Sequence, residues 1–214
     1  MGSEMCIRDR KGGFMVKQFD TGMEDLVWIL LDLQRESHYG QGLESTEEYA
    51  VTAAASIARS YSEAGWAVGL MAKGDRSYIM APQEGAPALD RLLLALTEAR
   101  AQGNVPFREL LSLWNSQTPS QAVSLIVVTP SVDPAWIPLL ETLVEQGVSA
   151  TIAMVDPKSF GDRRDPGLLL NRLNQRGAPV YLLQRNEDIA QSLRYRWRPA
   201  GNAAPPAEVV GARV

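Results

Sequence analysis

The sequence predicts an α/β domain in which a mostly parallel sheet lies between two layers of helices. Short apolar runs alternate along the chain with segments of helical period. Its second half repeats one order: a strand, a helix opened by Asp-Pro or Asn, then a glycine or proline ahead of the next strand. The first apolar run, Leu26 to Leu31, is almost unbroken, as suits a strand covered on both faces. Right-handed crossovers then place each helix over the sheet.

Leu26 to Leu31 is the first strand. After it, Ser45 and Glu48 make a capping box, and Ala50, Ala53, Ala54, Ile57 and Tyr61 form one face of the helix that follows. That face is rich in alanine, so the helix can lie close to a sheet. Trp66 to Ala72 and Ser77 to Met80 read as a strand pair joined at Gly74-Asp75. Leu89, Leu92, Leu93 and Leu96 mark a helix begun near Pro87 and ended near Gly103. Phe107, Leu110, Leu111 and Trp114 mark a shorter one, with Pro106 at its first turn. Leu125 to Val128 leads to Asp133-Pro134 and a helix ending at Gly147; Thr151 to Val155 leads to Asp165-Pro166 and a helix ending at Gly177. Aspartate at the cap satisfies free N–H groups, and proline at the next position loses no hydrogen bond. Val180 to Leu183 is the last strand, before a short helix from Asn186. Trp114 and Trp136 read as core anchors, and Trp197 in "RYRWRP" as packing on the sheet edge.

Met5 to Arg10, "MCIRDR", matches the translation of a transposon-derived sequencing adapter. Residues 1–10 are therefore set aside, 11–198 form the domain, and 199–214, rich in Ala, Pro and Gly, read as a disordered tail. The parent protein is expected to be longer, and Cys6, the only cysteine, is not expected to be native. Composition is globular, with 45% hydrophobic and 21% charged residues. The 21 Lys+Arg against 25 Asp+Glu leave a net charge of −4, which gives a nucleic-acid partner no electrostatic support. Without native cysteines there are no disulfides or thiolate metal sites, as fits a reducing compartment. No run of about 18 apolar residues exists to span a membrane.

In parallel α/β folds ligands sit at the carboxyl ends of strands where strand order reverses, and Asp32, Thr129 and Asp156 lie at such ends. Gly40-Gln41-Gly42-Leu43-Glu44-Ser45 is close to a dinucleotide fingerprint, but its third glycine is Ser45, and a flexible loop before a capped helix is the simpler reading. His38, the only histidine, reads as a loop residue, since no Gly-x-Ser-x-Gly elbow accompanies it. "SFGDRRDPG", Ser159 to Gly167, reads as a solvated connection capped by Asp165.

The stretch "LVWILLDLQRESHYGQGLESTEEYAVTAAASIARSYSEAGWAVGLMA", preceded by "MVKQFD", resembles the bacterial family called domain of unknown function 58. The resemblance runs from about Phe14 through the last helix and is most specific over Met15 to Ala72. It implies a Rossmann-like fold similar to the von Willebrand factor type A domain. It also implies a parent anchored in the bacterial cytoplasmic membrane by N-terminal helices, with this domain facing the cytoplasm. The partner it implies is a MoxR-type AAA ATPase, and no enzymatic activity is implied.

Type A domains often hold Mg²⁺ or Mn²⁺ through Asp-x-Ser-x-Ser, a threonine and a second aspartate. Here the first motif reads Asp32-Leu33-Gln34-Arg35-Glu36, the threonine's loop Gly103-Asn104-Val105, and the second aspartate's place Thr129-Pro130-Ser131. Only Asp32 survives in type. A degenerate site is therefore expected, with polar residues capping strand ends and Arg35 pairing with Asp32 or Glu36. The alternative is a rearranged Mg²⁺ or Mn²⁺ site from Asp32, Glu36, Ser37 and Thr129, serving a metal-assisted hydrolase or a metal-dependent contact. The function expected is protein interaction, as adaptor or scaffold, through Glu36, His38, Tyr39, Ser131 and Asp133.

Overall fold

The computed structural model describes residues 25–118 and 123–197. The adapter-like segment 1–10 and the tail 199–214 lie outside them. Strands β1 (Leu26–Leu31), β2 (Ala67–Lys73), β3 (Ser77–Gln83), β4 (Ser124–Thr129), β5 (Ser149–Val155) and β6 (Val180–Leu183) form one sheet in the order β3-β2-β1-β4-β5-β6. Every pairing is parallel except β2 with β3. The helices are α1 (Thr46–Glu63), α2 (Ala86–Glu98), α3 (Phe107–Gln117), α4 (Ile137–Glu145), α5 (Gly167–Gln175) and α6 (Ile189–Ser192).

Alternation along β1 divides the interior. Val27, Ile29 and Leu31 face a core shared with α1 and α2, against which α6 also packs. Trp28 and Leu30 face the opposite core, shared with α3, α4 and α5. Both faces are thus covered, as the unbroken apolar run of β1 predicts. Ala50, Ala53, Ala54 and Ala58 of α1 are completely buried, so the helix axis comes close to the strands. Ser45 Oγ accepts from the Glu48 N–H at 3.2 Å and starts that helix. Trp114 and Trp136 are core residues, the latter edge-on to Phe107 at 5.4 Å.

Boundaries differ from the sequence expectation where long-range contact overrides local pattern. β3 continues to Gln83 and includes Pro82, which an edge strand tolerates because its outer N–H row is unpaired; Pro82 stacks over Gly69 beside a register shift in β2. α2 stops at Glu98, short of Gly103, because residues 99–105 turn back toward β1: Gly103 pairs with Gln34 in an isolated parallel bridge. Asp133-Pro134 opens a single 3₁₀ turn, Pro134–Trp136, before α4. The last helix is capped by Asp188, whose Oδ1 accepts from the Gln191 N–H at 2.8 Å, while Asn186 sits in the left-handed region at φ 67°. Beyond α6 the chain returns along β6, and Trp197 donates its N–H to the Val180 carbonyl at 2.7 Å.

Candidate functional site

β1 has β2 on one side and β4 on the other, so the order of connection reverses between β1 and β4. The carboxyl ends of these two strands meet at that switch point, where such folds open a crevice. Asp32 directly follows β1 and Thr129 ends β4, and both side chains are buried. Thr129 Oγ1 donates to Asp32 Oδ2 at 2.6 Å, and the Gln34 N–H donates to Asp32 Oδ1 at 3.0 Å. The Ser131 N–H donates in turn to Thr129 Oγ1 at 2.9 Å. Burial raises the Asp32 carboxyl above the ordinary carboxylate value, against the opposing charge of His38 and the hydrogen bonds from Thr129 and Gln34.

The loop after β1 is knit together. Ser37 is buried and its hydroxyl donates to Gln34 Oε1 at 3.3 Å. His38 Nε2 lies 2.8 Å from the Asp32 carbonyl oxygen, which can only accept, so Nε2 carries a proton there. Its Nδ1 lies 3.2 Å from Thr46 Oγ1. The Tyr39 N–H donates to Thr46 Oγ1 at 2.8 Å, and the Thr46 N–H to the Tyr39 carbonyl at 2.9 Å. Gly40, at φ 89°, passes so near the Glu44 carbonyl that a Cβ would sit 2.8 Å from it. The loop expected to be flexible thus returns to the start of α1 through its own hydrogen bonds. Glu36 and Tyr39 stay exposed, and Leu43 is 84% exposed.

Of the candidate site residues, Asp32, Ser37 and Thr129 come together, His38 reaches the same turn through the Asp32 carbonyl, and Glu36 is exposed. Ser131 is buried and accepts from the Asp133 N–H at 3.4 Å; Asp133 accepts from the Ala135 N–H. Arg35 forms no ion pair with Asp32 or Glu36 among the described residues: its backbone N–H is tied to the Gly103 carbonyl at 2.8 Å, and neutral donors satisfy Asp32. Among the described residues no three His, Cys, Asp or Glu side chains gather as a metal-binding group.

The cation that does reach this loop comes from the segment expected to be a solvated connection. Arg164 Nη1 donates to the Glu36 carbonyl at 2.8 Å and Nη2 to the Ser37 carbonyl at 3.2 Å, while Nε donates to Asp162 Oδ2 at 2.6 Å. Burial would raise the Asp162 carboxyl, but hydrogen bonds and charge from Arg164 hold it below its ordinary value. Arg185 makes a second link, an ion pair with Glu44. Asp156, at the end of β5, is buried and bound by the Lys158 N–H and Gln184 Nε2, each at 3.0 Å. "GDRRD" contains the Asp162-x-Arg164 spacing that pairs the two, but no local signal says which arginine reaches a loop 127 residues earlier in the chain.

Among solved structures the fold is similar to the SpRpn10 von Willebrand factor type A domain, with TM-score 0.55 and 14% identity over 79% of this chain and 94% of that one. It is similar to the conserved hypothetical protein BatB from Bacteroides thetaiotaomicron, with TM-score 0.53 and 13% identity over 78% and 93%. A third likeness is to an aerotolerance-related membrane protein from Bacteroides fragilis NCTC 9343, with TM-score 0.52 and 12% identity over 78% and 94%. At such identities the likeness is one of fold, the three-layer type A-like architecture. No curated protein matches the chain. The sequence profile described as "Protein of unknown function DUF58" matches residues 7–160, beginning inside the segment set aside on sequence grounds and ending before α5 and β6. With most of the chain so matched, on a type A-like sheet whose switch point is closed by Asp32 and Thr129, the protein belongs to the DUF58 family.

Proposed function

We propose that this domain is a non-enzymatic adaptor or scaffold that docks a protein partner on the carboxyl edge of its sheet, through Glu36 to Gly42 and the Thr129 to Asp133 loop. One observation carries the reading. Tyr39, 43% exposed, and Leu43, 84% exposed and just past Gly42, present apolar surface on the loop that carries Glu36, which is already fixed by hydrogen bonds. A preformed loop with exposed aromatic and aliphatic side chains loses little entropy on binding. The partner to try is a MoxR-type AAA ATPase, and the parent protein is read as anchored in the bacterial cytoplasmic membrane with this domain facing the cytoplasm. No helix among the described residues is long and apolar enough to cross a membrane.

Neither a cation nor a reaction enters this reading. Both Asp32 oxygens already accept from protein donors, Thr129 Oγ1 accepts from Ser131, and Glu36 is exposed, so the donor set does not fit a type A-like cation site. We read the cluster as a degenerate metal-ion-dependent adhesion site. The ring nitrogens of His38 face the Asp32 carbonyl and Thr46, an arrangement that orients a loop. Binding of the chain to the ATPase, by calorimetry in EDTA and again with Mg²⁺, tests the proposal. Leu43→Asp, or charge reversal of Glu36 and Asp133 together, is expected to weaken binding by roughly tenfold or more. Unchanged affinity in both variants removes the surface; binding that needs Mg²⁺ revives the metal-bearing alternative.

A further inference from the structure

The structure assigns to Arg164 a positioning role: its guanidinium fixes the conformation of the loop after β1, so that the exposed side chains of that loop are presented in one arrangement. This rests on the docking surface proposed above only for its purpose; the latch itself is a property of the free protein. A cation shared by several loops would tie them together, and here a guanidinium supplies the tie. Three donors of its planar fork are directed at once, toward the Glu36 carbonyl, the Ser37 carbonyl and Asp162. The Arg164 side chain is 34% exposed and that of Asp162 only 11%, so the charge pair is not a fully solvated one.

The place of the tie matters more than its strength. Ser37 is the buried residue of the turn that leads from Asp32, and Glu36 is the exposed one beside it. Holding both carbonyls fixes which of the two side chains faces the cluster and which faces solvent. Downstream, the Tyr39 ring lies against Gly161 of the same β5 loop, 3.6 Å from where a Cβ would stand. Tyr49 stacks edge-on against Phe160 at 4.9 Å, and its hydroxyl accepts from the Asn186 N–H at 3.0 Å. The loop after β5 is thus braced by aromatic packing, which gives Arg164 a firm base.

Hydrogen exchange of the full chain tests this without any partner. The reporters are the amides of Tyr39 and Thr46, which donate to Thr46 Oγ1 and to the Tyr39 carbonyl. In Arg164→Ala they are expected to exchange roughly tenfold faster, with amides of β1 and β4 unchanged. Arg164→Lys, which keeps the charge but lacks the fork, is expected not to restore protection. Asp162→Asn, which leaves the guanidinium without its counter-ion, should loosen the same amides to a lesser degree and serves if Arg164→Ala folds poorly. Reporter amides that exchange as in the wild type in all three variants, or faster only in step with the core, overturn the role. The ATPase affinity of Arg164→Ala is then measured separately. A tenfold loss ties the latch to docking; an unchanged affinity beside faster exchange leaves the latch standing and counts against the docking surface.

Discussion

Asp32 is the residue at which burial and hydrogen bonding pull in opposite directions. A buried carboxyl whose folded pKa is raised binds its proton more readily in the native than in the unfolded chain. Its contribution to stability is therefore fully present below the ordinary carboxylate value and is lost as pH rises through the raised one. Asp32→Asn is expected to abolish this pH dependence, because the amide keeps an acceptor for the Gln34 N–H and can donate to Thr129 once the hydroxyl turns. Asp32→Ala is expected to cost about 1–3 kcal/mol, since it leaves the Gln34 N–H and the Thr129 hydroxyl without their partner. Denaturant unfolding from pH 4 to pH 8 measures both, and an equal slope in wild type and Asp32→Asn would show that another group sets the dependence. Asp162 works the other way: its folded pKa is lowered, so its contribution is present above the ordinary carboxylate range and fades as pH falls through the lowered value. Gly103 is constrained by space, since an added Cβ would sit 2.0 Å from the Lys73 carbonyl oxygen. Gly103→Ala must push β2 away from the Gln34 bridge and is expected to destabilise by at least the 1–3 kcal/mol typical of overpacking.

At the scale of elements, local chemistry was largely legible. β1, β4, β5 and β6 stand out as apolar runs, and the Ser45 cap and the alanine face of α1 follow from residue type and helical spacing. What the sequence left hidden is what nonlocal contact decides: where α2 stops, how far β3 runs past Pro82, and that Asp188 in place of Asn186 begins α6. The site divides in the same way. Asp32 and Thr129 could be placed at strand ends from their positions after apolar runs, whereas Arg164 depends on a contact that no periodicity encodes. The alanine face supplies its own test. Ala54 is completely buried between α1 and the strands, so Ala54→Leu inserts three carbons where the helix lies close. A loss of about 1–3 kcal/mol in denaturant unfolding is expected. Ser45→Ala, which removes only the cap, is expected to lose about 1 kcal/mol. A smaller loss for Ala54→Leu than for Ser45→Ala would mean that α1 shifts freely on the sheet.

For the whole molecule, topology gathers the exposed loops. The order β3-β2-β1-β4-β5-β6 puts the reversal between β1 and β4, so the loops leaving β1 and β4 face each other, with those of β5 and β6 alongside. Alternating strands and helices predict a parallel sheet but not this order, because neighbouring strands are chosen by tertiary packing. In a type A-like fold the same edge can carry a cation, and binding of that cation would stabilise the native state by mass action. At about a hundredfold over its dissociation constant a specific Mg²⁺ would add roughly 2.7 kcal/mol, or on the order of 5–10 °C in Tm at this size. Both oxygens of Asp32 are already engaged by protein donors, so a cation must compete with those hydrogen bonds for the carboxylate. Thermal unfolding in EDTA and in excess Mg²⁺ or Mn²⁺ is therefore expected to give the same Tm within about 1 °C. A rise of several degrees that disappears in Asp32→Ala would mean that Thr129 and Gln34 release the carboxylate to a metal, and that the edge recognises its partner through an open coordination position.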